Sequence, residues 1–214
     1  MISHSKKFIF VHIPKTGGTS VEHKLRKYGT VLQGKGNFDS IYYKHATALS
    51  IKRIMGDEYD KYFKFTFVRN PWDWVVSNYA FNRGLGRPWI INTGYSLSGK
   101  VPDWAKDMSF SEWLVWWIDT LYPSQSVMFT RANGEPLVDA IFKFESLTSD
   151  FNKLKTRLQL YIWRPRLPHL KSSNRRADYK SYYDDQSMKL VQEHFALDIE
   201  YWRSGKRDKI NALP

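Results

Sequence analysis

The stretch from Phe8 to Ser20 constrains the fold more than any other part of the chain. It opens with Phe8-Ile-Phe-Val-His-Ile13, a near-continuous apolar run of the kind a strand shows when both its faces are buried. Pro14-Lys-Thr-Gly-Gly-Thr-Ser20 follows, and then Val21, Leu25 and Tyr28 recur at helical spacing. Strand, glycine turn and helix in that order open an α/β fold with a mostly parallel sheet. The turn also has a chemistry. Gly17 and Gly18 let the backbone approach an anion closely, and successive N–H groups at the start of a helix point at it. Thr16, Thr19 and Ser20 add hydroxyls, and Lys15 adds a full charge. On these residues alone, a tight strand-to-helix turn with an exposed lysine is an equal reading.

A second junction of the same kind lies further on. Phe63-Lys-Phe-Thr-Phe-Val68 alternates as a strand does and ends at Arg69-Asn-Pro-Trp-Asp73. Asn70 suits an N-cap and Pro71 the first helical position, so a helix is expected to run to about Phe81. Residues 82 to 108 carry glycines and prolines and read as a long loop. Phe110, Trp113, Leu114, Trp117 and Leu121 mark an amphipathic helix, and Asp139 to Phe144 another strand. Leu147, Phe151, Leu154 and Leu158 mark a helix, and a last one is expected over about 184–202. All of this fits one domain spanning 1–214.

The charge balance speaks to partners. A net charge of +12 favours anionic ligands, but no block of like charges and no nucleic-acid motif accompanies it, so no nucleic-acid partner is expected. The chain has no cysteine, which suits a reducing cytoplasm, and no run long enough to span a membrane. Of the nine tryptophans, Trp89, Trp104, Trp113 and Trp116 are candidates for a sugar platform or for core packing.

The lysine of the first turn precedes its glycines, the reverse of the Walker A order. In that order the stretch Phe8–Ser20 resembles the 5′-phosphosulfate loop of the PAPS-dependent sulfotransferases, in the carbohydrate and bacterial branch. Phe67-Val-Arg-Asn-Pro-Trp-Asp-Trp-Val-Val-Ser77 resembles that family's 3′-phosphate element, with Arg69 and Ser77 at the two matching positions. The resemblance spans about residues 7 to 202 and is loose between 82 and 140. It implies a three-layer, P-loop-kinase-like domain. It also implies PAPS as donor, PAP as product, no metal, and a hydroxyl-bearing acceptor such as a glycan. Trp74 departs from the pattern, standing where many members carry Arg, which puts a second basic contact there in doubt.

Lys-His-Ala-Thr-Ala48 resembles the segment that carries the base in the carbohydrate branch, which implies His45 as base and Lys15 as stabiliser of the leaving oxygen. Imidazole titrates near neutrality, as such a base should. Glu22 is the carboxylate alternative; His12, His23 and His169 match less well. Glu145, in a strand-end element similar to the family's, reads as structural, while Lys171, Ser172 and Arg175 lie within reach of a nucleotide or form a solvated basic loop. Two other functions stay open on the sequence: a magnesium-dependent nucleotide phosphotransferase, and a non-catalytic binder of acidic polymers.

Overall fold

The computed structural model describes residues 1–30, 44–85, 107–121, 124–162, 167–168 and 175–205. The strands expected at the two junctions form as β2 (Phe8–Val11) and β3 (Phe63–Val68), paired in parallel with Phe10 opposite Phe65. A third parallel strand, β4 (Ala140–Lys143), pairs with β3, with Phe67 opposite Phe142. It is shorter than expected at both ends: the carboxylate of Asp139 takes the N–H of Lys64 at 2.9 Å and its ammonium at 3.0 Å, and Phe144 begins a 3-10 turn. A two-residue strand, β1 (Ile2–Ser3), lies antiparallel on β2 and completes the order β1-β2-β3-β4. Two residues are too few for any periodicity to reveal.

Both faces of this sheet are covered. Phe8, Phe10, Phe65, Phe67 and Phe142 point to one side and pack with Val21, Phe151 and Leu154. These belong to helices α1 (Gly18–Leu25) and α5 (Leu147–Arg157). Ile9, Val11, Val68 and Ile141 point to the other side and join a larger core with Trp74, Trp113, Trp117 and Phe195. That core is supplied by α2 (Ala48–Met55), α3 (Pro71–Leu85), α4 (Phe110–Leu121), α6 (Asp185–His194) and α7 (Ala196–Ser204). The result is a mixed α/β fold, a mostly parallel sheet with helices on each side.

Three expectations need adjustment. Helix α3 continues to Leu85 rather than stopping near Phe81, and 86–106, with Trp89 and Trp104, lie outside the described residues. The C-terminal stripe is two helices that meet at Phe195, whose ring is buried beside Trp74 and Trp117. Tyr28 follows α1 in a turn closed onto Leu25. Among the described residues no helix is long and apolar enough to cross a membrane.

Candidate functional site

The C-terminal ends of β2 and β3 open into a cavity of about 940 Å³, a size suited to a nucleotide-scale ligand. Its wall begins with the turn after β2. Gly17 is the N-cap of α1 and takes a left-handed φ of 79°, which a side chain disfavours. Gly18 is pressed against His12: a Cβ there would lie 2.1 Å from the imidazole Cδ2. Lys15 also holds a left-handed φ, 65°, and its ammonium sits 4.1 Å from the centre of the Phe81 ring on α3. Lys15, Gly17, Gly18, Thr19 and Ser20 all line the cavity. Thr16 does not: it is fully buried, and its hydroxyl donates to the carbonyl of Ile13 at 2.8 Å, closing the turn from within.

The second junction meets the first here. Asn70 caps α3 as its sequence suggests, its Oδ1 accepting from the N–H of Trp72 at 3.0 Å. Arg69 and Ser77 both line the cavity. The guanidinium of Arg69 bonds the Asp73 carboxylate through Nε at 2.7 Å, lies 4.2 Å from the centre of the Phe144 ring, and donates from Nη1 to the carbonyl of Lys15 at 3.0 Å. Its backbone is held by Gln125, whose amide accepts from the Arg69 N–H and donates to the Arg69 carbonyl. Gln125 is held in turn by the buried carboxylate of Asp198. No local signal in the sequence pointed to Gln125 or Asp198.

Trp74 is a core residue with no exposure, and its indole donates to the carbonyl of Pro14 at 2.8 Å. A further cation reaches the cavity from elsewhere in the chain. Arg175, from the segment before α6, pairs with Asp73 at 2.5 Å and lines the cavity. Its Nη1 is buried and has no hydrogen-bond partner among the described residues. Arg176 and Lys44 also face the cavity, and Phe144, Ser146 and Leu147 close the far wall at the start of α5. The wall is cationic and hydroxyl-rich, the chemistry of a polyanion site.

His45 stands at the cavity, 4% exposed, with its Nδ1 2.8 Å from the carbonyl of His12. A carbonyl only accepts, so Nδ1 carries the proton and Nε2 the lone pair. Burial pushes this imidazole well below its ordinary value, with the neighbouring His12 and Lys44 adding to the effect. The two rings meet edge to face at 4.5 Å. Glu22 lies behind them: Oε1 meets the Nδ1 of His12 at 2.8 Å and Oε2 the ammonium of Lys44 at 2.9 Å. Burial works against its charge, yet hydrogen bonds and charge from His12 and Lys44 hold the carboxyl down to about 2. With both oxygens engaged, Glu22 is poorly disposed to act as a base.

Of the remaining candidates, His23 is exposed on α1. Trp113 is core, and Trp116 is packed against it. Glu145 bridges the N–H of Asn70 and the indole of Trp202. His169, Lys171 and Ser172 lie outside the described residues.

No curated protein and no solved structure matches the chain. The model of the Sulfotransferase family matches residues 1–203, nearly the whole length, and includes every element that builds this cavity. The chain belongs to the sulfotransferase family.

Proposed function

We propose that the protein transfers a sulfuryl group from PAPS to a carbohydrate hydroxyl by in-line displacement, releasing PAP, within one domain of three-layer, P-loop-kinase-like architecture. The observation that carries this is the convergence of two separate phosphate motifs on one cavity, joined where Arg69 donates to the carbonyl of Lys15. A chain without cysteine suits a reducing cytoplasm as its setting.

The residues fit such a donor. Backbone N–H groups from Gly17 to Thr19, at the positive end of α1, with the Ser20 hydroxyl beside them, cradle the 5′-phosphosulfate. Arg69 and Ser77 take the 3′-phosphate, and Arg175, which lines the same cavity, supplies the cation that Trp74 cannot. In the transfer, the bond from sulfur to the bridging phosphate oxygen breaks as the acceptor oxygen bonds to sulfur. Lys15 stabilises the charge left on the bridging oxygen. The acceptor's proton passes to Nε2 of His45. The scheme uses no metal, since protein cations meet the developing charge.

Titration calorimetry with PAP and ATP, each with and without magnesium, tests the donor. Saturable PAP binding indifferent to magnesium is expected, with weaker ATP binding. No PAP binding, or tighter magnesium-dependent ATP binding, would overturn the proposal. Turnover of labelled PAPS with carbohydrate, amine and lipid acceptors then tests the acceptor class.

A further inference from the structure

We infer that Glu22 is the positioning residue of this site: it ties together the two groups that hold His45, and so fixes which nitrogen of that imidazole faces the acceptor. The inference rests on the sulfuryl-transfer reading, with His45 as base, and adds a residue to it.

The carboxylate of Glu22 projects from the second turn of α1 and is 4% exposed. Being ionised, it can only accept, so His12 donates to it from Nδ1. The His12 ring is then trapped on three sides: by Glu22, by the Phe10 ring stacked at 5.6 Å, and by Gly18. A fixed His12 fixes the end of β2, where its carbonyl receives the Nδ1–H of His45. The second oxygen of Glu22 holds Lys44, the residue immediately before His45. One carboxylate thus anchors both the chain that presents His45 and the group that accepts its proton. A tautomer with the proton on Nε2 would turn a lone pair toward the His12 carbonyl and lose that bond. The arrangement follows the general logic of a carboxylate that orients an imidazole, except that here the orientation passes through a second histidine.

Imidazole nitrogen NMR of the wild-type protein reads the tautomer directly and needs neither variant nor turnover. His45 protonated at Nδ1 is expected; protonation at Nε2 overturns the inference. Glu22→Gln keeps the shape but sets an amide against Lys44 or His12. It should lower kcat about 10- to 100-fold, the range for losing a partner that orients an imidazole, while PAP affinity stays within about twofold of wild type. In a His45→Ala background the same substitution should cost nothing more, because its effect passes through His45. A further loss of similar size there, or unchanged kcat in the single variant, overturns the inference. No PAP binding by the wild-type chain overturns the sulfotransferase reading itself, and with it any role of Glu22 in turnover.

Discussion

The indole of Trp74 donates to the carbonyl of Pro14 at 2.8 Å, so the helix after the second strand-to-helix junction holds the loop of the first. Both groups are buried. The residue that looked like a lost cation is therefore a tie between the two halves of the site.

Trp74→Phe keeps an aromatic ring but leaves a buried carbonyl unpaired and a gap beside Trp117. Stability should fall by about 2–4 kcal/mol, read from urea denaturation. PAP affinity should drop about tenfold, or roughly 1.4 kcal/mol, because the loop loses its tether. A variant as stable and tight-binding as wild type would remove Trp74 from this role.

Arg175 shares the Asp73 carboxylate with Arg69. Arg175→Ala takes one cation from the cavity wall and one of the two partners from that carboxylate, and should weaken PAP binding by about 10- to 100-fold, a loss of roughly 1.4–2.8 kcal/mol. Arg175→Lys should recover little of it, since an ammonium cannot both fork onto Asp73 and reach an anion. Calorimetry with the two variants checks this; full recovery in the lysine variant would mean that charge alone matters.

Gly18→Ala tests the contact between the glycine turn and the histidine pair. Its methyl would lie 2.3 Å from Nε2 of His12. The ring has little room to yield, so overpacking should cost about 1–3 kcal/mol and turnover should fall with it. Unchanged thermal stability and turnover would show that the ring can step aside.

Stability should fall in acid. Burial holds His12 below the ordinary imidazole value and His45 well below it. In the unfolded chain both bind protons near pH 6.5. Below that pH the unfolded state therefore holds more protons than the folded one, and stability drops until the folded imidazoles titrate. Each contributes a slope of up to about 1.4 kcal/mol per pH unit. Glu22, folded at about 2, adds a second decline below the ordinary carboxylate range. Urea midpoints between pH 7.5 and 4 should fall steadily from about 6.5. A flat profile down to pH 5 would mean that the buried imidazoles titrate where they do in the unfolded chain.

The two strand-to-helix junctions were legible in the sequence because their signals are local. Apolar runs, a glycine turn, an N-cap and a proline act on neighbouring residues, and β2, α1, β3 and α3 formed where those signals stood. The kink at Phe195 was not legible, because a continuous apolar stripe does not reveal where a ring must turn into the core.

Resemblance to the sulfotransferase motifs, in their chain order, brought Lys15, Arg69 and His45 into one reading. Only the tertiary structure decided what surrounds them. Asp73 meets Arg175 across 102 positions, Trp74 meets Pro14 across 60, and Arg69 meets Lys15 across 54. Glu22 reads in the sequence as a rival base, and packing set its two oxygens on His12 and Lys44. Such pairings depend on how a twisted sheet and its helices bring distant segments together, and no local propensity records that.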